Sequence, residues 1–443
     1  MAGFALVVIF MILYYAGGGI VSIIALFLNL FFIFGALASY GTVLTLPGIA
    51  GIVLTIGMAV DANVIIFERI REEIREGKTI FASIQDGFQN SYSAIIDANV
   101  TTILTAFVLA YFGLGPIKGF AVVLIIGVLS SLFTAVLVGR MIIEWWTKKR
   151  GISFSTGLSK NALANLKVDW LGKRRIAYMI SGAIILAGLV SFFVRGFELG
   201  VDFKGGYSYN VTFEQSLDIN VADLRESLTA SFGSEPTVKA VDTENTYNVV
   251  TDYLVDETDE DAPDRVMEKL HEGVQAAIGI PLDFDSFSNA DGNTGTHVTS
   301  SAKVGPTIAD DIKTSALYAA IFALLLIFLY IFIRFSKWQY SMGAVAALFH
   351  DVLIVLSIFS LGRGILPFSM EIDQNFIAAI LTVIGYSIND TVVVFDRIRE
   401  FLNTYLKDTK EEVINKAINS TVSRTVITSL TTFLVVAILF FFG

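Results

Sequence analysis

The sequence predicts an all-α polytopic membrane protein, built as parallel repeats of a six-helix unit with about ten spans present and carrying one small α+β, ferredoxin-like exported domain. Three observations predict it. Of the 443 residues 54% are apolar and 16% charged, and the apolar ones fall into blocks of about twenty, the length of a helix that crosses a bilayer. GMAVDANVIIFERIRE, from Gly57, and GYSINDTVVVFDRIRE, from Gly385, are near copies 328 residues apart. Between them lies an acidic insert: Gly196 to Gly305 holds 21 acidic and 6 basic residues, a local −15 that leaves the rest at about +5.

The ten apolar blocks lie at residues 3–17, 20–40, 49–67, 94–112, 119–140, 176–195, 314–334, 340–361, 375–396 and 423–442. Several carry Gly, Ser and Thr, which let helices approach closely in lipid. The first block lacks a basic flank and a small-residue cleavage site, so it reads as a span and not as a removable signal. Cysteine is absent, so no disulfide framework supports an exported part. Arg69, Arg71, Arg75 and Lys78 follow one span, Lys148 to Arg150 and Lys173 to Arg175 flank a connection, and Arg397, Arg399, Lys407, Lys410 and Lys416 follow another. The positive-inside rule places these loops in the cytoplasm, and alternation puts 196–310 and both chain ends outside. The predicted organisation is a first membrane half of five helices (1–146), a cytoplasmic linker (147–173), a helix (174–196), the exported domain (197–305) and four further helices (306–443).

Within the exported segment YSYNVTFE alternates like a strand, VADLRESLTASFG and DAPDRVMEKLHEGVQAAIG have helical spacing, and TYNVVTDYLV, LDFDSFS and THVTSSAKV return to strand character. Two helices on one antiparallel sheet are expected. DETDEDAPD, Asp256 to Asp264, lacks the glycine-centred spacing of a calcium loop and reads as a solvated acidic loop.

The repeat extends beyond its best-matched stretch: NVTTILTAF resembles TVITSLTTF, and ALFLNL pairs with ALFHDV, setting Asn29 opposite Asp351. All matches run in one order and orientation, hence parallel repeats. Each half lacks what the other has at one end, which predicts truncation at opposite ends of two six-helix units; a genuinely ten-helix protein is the alternative.

Polar residues inside the spans are the candidate functional ones. Asp61 lies eight residues before Arg69 and Asp390 seven before Arg397, a depth of about 12 Å at a rise of about 1.5 Å per residue. A charge there costs several kcal/mol, so each carboxylate is expected to hold a proton until water or a cation approaches. Arg424 stays cationic and is suited to holding or releasing a carboxylate. Asn63, Asp97, His350, Asp351 and Asn389 are candidate relay or supporting groups, and threonines from Thr101 to Thr432 offer hydroxyls to a wet path. The structural alternatives are a buried hydrogen bond for Asp61 and Asp390, snorkelling for Arg424, a helix-start or interfacial role for Asp97 and a satisfied core histidine for His350. In the ungapped alignment Asp61 faces Asn389 and Ala62 faces Asp390. One residue is about 100° of helix rotation, so the two carboxylates are expected to be unlike stations facing different neighbours.

GMAVDANVIIFERIREEIREG resembles the intramembrane motif of SecD, and LGVDFKGG, VGPTIADD, ALFHDVLI, GYSINDTVVVFDRIRE and STVSRTVITSLTT resemble SecF motifs in order. The chain is thereby identified as a member of the SecD/SecF protein-export membrane family, joined as in the fused SecDF form, within the proton-driven resistance-nodulation-division superfamily. The resemblance implies a proton-motive-force-driven accessory of the SecYEG translocon in the bacterial cytoplasmic membrane, acting after the SecA motor, with YajC and YidC as further partners and unfolded secretory polypeptide as substrate. It implies a proton relay of Asp61, Asp390 and Arg424, an exported-domain motif at Asp202, Gly205 and Gly206, and no cofactor, no metal and no enzymatic step. It also implies that a first helix, a large exported domain and a last helix are missing. No GxxxxGK[ST] loop occurs, which argues against direct ATP use, and nothing points to nucleic acid. The rival reading is a small-molecule or lipid exporter of the same superfamily; a passive translocon scaffold is a third.

Overall fold

The computed structural model describes all of the chain except residues 1, 42–44, 115, 164–165, 218, 241–244, 258, 290–294, 367–369 and 443. It forms two compact units, one of Met1–Ala183, Tyr318–Leu353 and Ala378–Gly443, the other of Ile184–Leu317 and Ile354–Ile377.

The first unit is helical. Helices α1 (Ala2–Tyr15) and α2 (Gly17–Tyr40) meet at Ala16, whose φ of +50° reverses the chain at once. A side chain at Gly19 would run into the Met11 carbonyl, so only glycine allows this hairpin. Thr45 caps α3 (Leu46–Ala59) by accepting from the Gly48 N–H at 3.2 Å, and Pro47 suits its first turn. The helix breaks at Val60 and restarts as α4 (Asp61–Arg75). Thr79 caps α5 (Ile80–Phe112), and α6 (Pro116–Leu132) passes through a π-helical turn, Phe133–Val138, into α7 (Gly139–Arg150). Beyond α7 the chain is anchored, not loose: Ile152 and Phe154 are buried in the apolar core with Met11, Tyr15 and Phe67. Next comes α8 (Trp170–Arg195), of which residues to Ala183 belong here.

In the second unit, short β1 (Glu198–Leu199) and α9 (Val201–Lys204) lead into β2 (Gly206–Thr212), α10 (Val221–Phe232), β3 (Thr237–Ala240), β4 (Thr246–Thr251), α11 (Ala262–Ile278), α12 (Phe284–Ser288) and β5 (His297–Val304). The antiparallel sheet runs β3-β4-β2-β5, which with the intervening α10 and α11 is the ferredoxin-like βαββαβ order. Leu224, Leu228 and Phe232 of α10 and Val266, Leu270 and Val274 of α11 bury one stripe each against Tyr209, Val211 and Val249 of the sheet. LDFDSFS, expected as a strand, is instead helix α12: Asp283 caps it through Ser286, and a capped helical turn buries Phe287 in the core. β3 was not expected, because TVKA is too short to show alternation.

Helices α13 (Pro306–Phe335), α14 (Trp338–Gly362), α15 (Gln374–Thr404) and α16 (Lys410–Phe442) complete the chain, with β6 (Glu371–Ile372) pairing in parallel with β1. Among the described residues nine helices are long and apolar enough to span a membrane, not ten. The block at 3–17 forms the shorter α1, because the reversal at Ala16 ends it after one face has packed on α2 and α16.

Candidate functional site

Asp61 opens α4 at the break in the α3–α4 span and faces a small cavity that Asn389, Asp390, Tyr386, Arg424 and Thr428 also line. About 40 Å³ of it is open to the centres of water-sized molecules, room for about three waters at roughly 10–15 Å³ each. Asp390 accepts a hydrogen bond from the Thr425 hydroxyl at 3.4 Å, and Arg424 faces it from the same helix as Thr425. The Tyr386 hydroxyl donates to the Thr428 carbonyl at 3.1 Å, receives Thr432 at 3.1 Å and faces Asp61. The site therefore joins two carboxyls, one guanidinium and one phenol around space for water. Those groups can take up a proton, pass it on and hold the resulting charge.

Asp61 and Asp390 open onto this one cavity but meet different groups in it: Asp61 faces Tyr386, whereas Asp390 accepts from Thr425 and faces Arg424. The repeat register is kept across the turn at Val60: Met58 and Tyr386, Asp61 and Asn389, Ala62 and Asp390, and Ile65 and Val393 all line the cavity as mates, so the two acids occupy adjoining positions on one cavity-facing stripe of their helices. Asn389, the alignment mate of Asp61, binds α5: with its amide oriented to suit its surroundings it donates to the Ala98 carbonyl at 2.8 Å and the Gly385 carbonyl at 3.2 Å. Arg424 lines the cavity and does not snorkel to an end of the bundle.

The other candidates lie elsewhere. Asp97 is 3% exposed and grips Arg334 of α13 through both oxygens, at 2.8 and 2.7 Å, while Tyr330 donates to it at 2.7 Å. These bonds tie α5 to α13 through Asp97. His350 and Asp351 are partly exposed, 3.1 Å apart, and Asp351 accepts from Ser387 of α15 at 2.5 Å; His350 is not a core histidine. Asn63 is buried and donates at 3.5 Å to the Ala59 carbonyl, across the helix break. Asn29, the mate of Asp351, is bound by Ser130. In the second unit Asp202 accepts from the Gln374 N–H at 3.0 Å, capping α15. Gly205 and Gly206 have φ of +76° and +139°, and a Cβ on Gly206 would meet the Thr251 carbonyl oxygen at 2.6 Å, so this motif needs glycine to enter the sheet.

Tyr386, Tyr330 and Arg334 were not anticipated. Tyr386 sits four residues before Asp390, one turn away on the same face, and that spacing was the available signal.

Residues 1–149 and 286–443 match the family described as protein export membrane protein SecD/SecF, C-terminal. The chain belongs to the SecD/SecF family. Residues 190–216 match the SecD/SecF GG motif, the segment that holds Asp202, Gly205 and Gly206. The protein translocase subunit SecDF of Bacillus subtilis is 32% identical over 464 residues, covering 100% of this chain and 58% of that one. SecF of Rhodothermus marinus is 45% identical over 279 residues, or 63% of this chain and 83% of that one. The crystal structure of SecDF from Thermus thermophilus, named as translocon-associated, superposes with a TM-score of 0.83 at 33% identity, covering 99% of this chain and 56% of that one. SecDF in its super-membrane-facing form gives 0.73 at 32% identity, again over 99% and 56%. The chain thus spans a little over half the length of these SecDF relatives, and their fold, polytopic helices with a small α+β domain, is its own.

Proposed function

We propose that this SecD/SecF chain uses the proton motive force to promote export of polypeptides across the bacterial cytoplasmic membrane, as an accessory of the Sec translocase. One observation carries the reading: Asp61 of the first repeat and Asp390 and Arg424 of the second meet at a single cavity with room for water. A proton arriving at Asp390 cancels its attraction to Arg424, and a proton leaving restores it, so each passage changes the balance of forces between α15 and α16. One charge crossing 100 mV supplies about 2.3 kcal/mol, enough to bias a two-state helix packing. The basic ends of α4 and α15 face the cytoplasm by the positive-inside rule, and the ferredoxin-like domain faces outward. That a SecDF relative is solved in what is named a super-membrane-facing form supports a moving element. No bond of the substrate is made or broken in this scheme. SecYEG, SecA, YajC, YidC and unfolded secretory chains are the proposed partners.

The test is Asp390→Asn, which keeps the shape and removes the proton. We expect proton-dependent export to be lost while membrane assembly is retained; export undiminished in that variant would sink the proposal.

A further inference from the structure

Beyond the carboxylate cavity lies a second, larger one of about 320 Å³ at the charged end of the first unit, lined by Glu68, Arg69, Glu72, Asp396, Arg397 and Glu400 among others. Three residues line both cavities: Ile65, Val393 and Arg424. Ile65 and Val393 are 328 residues apart and are therefore repeat mates. Four charges beside them follow the same relation. Arg69 binds Glu72 at 3.1 Å on its own helix and Glu400 at 3.3 Å on the other; Arg397 binds Glu400 at 2.8 Å on its own helix and Glu72 across the gap. The result is a closed ring, two arginines and two glutamates alternating, in which α4 and α15 contribute equivalent residues.

We propose that this ring is the gate that closes the ion path on the charged side, with Ile65 and Val393 as its apolar plug; the inference rests on the coupling proposed above. Two contrasts separate a gate from a strut. The glutamates of the ring are wet, 29% exposed for Glu72 and 45% for Glu400, and ion pairs of that kind hold weakly. Beside it stands a buried pair that holds firmly, Glu68 with Arg71 at 2.5 Å, further tied to Tyr15 and Ser423. Arg69 also reaches Glu73 at 3.0 Å and Arg397 reaches Ser420 at 3.1 Å, which keep the arginines in place when the cross-helix partners part. Parting α4 from α15 at the ring therefore joins the two cavities between Ile65 and Val393 in a single movement, and lets water carry protons to Asp390.

The chain has no cysteine, so Val393→Cys introduces a sole thiol on the plug. Its reaction with a membrane-impermeant maleimide is followed in inside-out vesicles without a proton gradient. Removing the ring's acids, Glu72→Gln with Glu400→Gln, is expected to raise the labelling rate about tenfold, the effect of a tenfold larger open population. Inverting all four charges rebuilds every pair of the ring and is expected to return labelling to the parent rate. An unchanged rate in the neutralised variant, or a rate equally high in the inverted one, overturns the gate. A second thiol at buried Ala106 reports global loosening. If it too becomes reactive, Glu400→Gln alone decides, with a rise of about threefold expected and no rise overturning the proposal. Repeating the labelling in Asp390→Asn separates the two readings, because opening of the ring is read without export, while export of Asp390→Asn is read without the thiol.

Discussion

Tyr386 shows how much of the site lies in a single hydroxyl. It fastens α15 to α16 through Thr428 and Thr432 and faces Asp61 from four residues before Asp390. Tyr386→Phe keeps the ring and removes that oxygen. We expect a stability loss of about 0.5–1.5 kcal/mol, the usual net worth of a buried hydrogen bond, seen as a lower midpoint of thermal unfolding. A larger, separate fall is expected in proton-dependent export; export falling only in step with stability would show that the hydroxyl is structural alone. Asp61, Asp390 and Arg424 were legible in the sequence, because a charge in an apolar run has no cheap structural excuse. Tyr386 was not, since an aromatic residue in a span ordinarily packs. Arg334 was missed because it ends an apolar block, where arginine ordinarily snorkels, yet it is bound to Asp97 at 2.7 Å.

Between elements, repeat mates do the same work on opposite sides. A Cβ on Gly385 would lie 2.5 Å from the Thr105 hydroxyl of α5, and one on Gly57 would lie 3.2 Å from Thr432 of α16, so the two glycines let equivalent helix pairs touch. The Asp97–Arg334 strut joins α5 to α13 more firmly. Arg334→Met alone leaves a buried carboxylate unpaired and is expected to cost about 3–5 kcal/mol, whereas Arg334→Met with Asp97→Leu is expected to recover most of that loss. Thermal unfolding of the single and double variants checks it. In the second unit, Asp373 and Asp202 cap the first turn of α15 through the Phe376 and Gln374 N–H groups at 2.7 and 3.0 Å. Burial, helped by Asp202, pushes the Asp373 carboxyl above its ordinary value of 3.8. An acid held above its unfolded value binds its proton more tightly when folded. Its protonated form therefore favours the fold, and stability is lost as pH rises from about 4 through the raised value. Amide exchange at Phe376 is expected to quicken over that window, and Asp373→Asn, which still caps the helix, to flatten the dependence.

For the molecule as a whole, the repeat made the membrane architecture readable, and the acidic insert made the extramembrane domain readable. Two things stayed hidden. The reversal at Ala16 shortens α1 and depends on the bare backbone of Gly19 beside Met11, a contact that hydropathy does not register. The meeting of Asp61 and Asp390 at one cavity stayed hidden too, because their one-residue offset in the alignment still leaves both on the cavity-facing stripe of their helices. The asymmetry of the halves can be tested by removing it. Asn389→Asp together with Asp390→Ala gives the second repeat the same acidic register as the first. In unbroken α15 that shift carries the carboxylate about 100° around the helix, off the side that faces Thr425 and onto the side where Asn389 now meets Ala98 and Gly385. We expect a protein that inserts and folds but has lost proton-dependent export, with the acid accepting from the Thr101 hydroxyl of α5 where Asn389 now stands. Export retained in the double variant would show that the register of the acid, and so the asymmetry of the repeats, is immaterial to coupling.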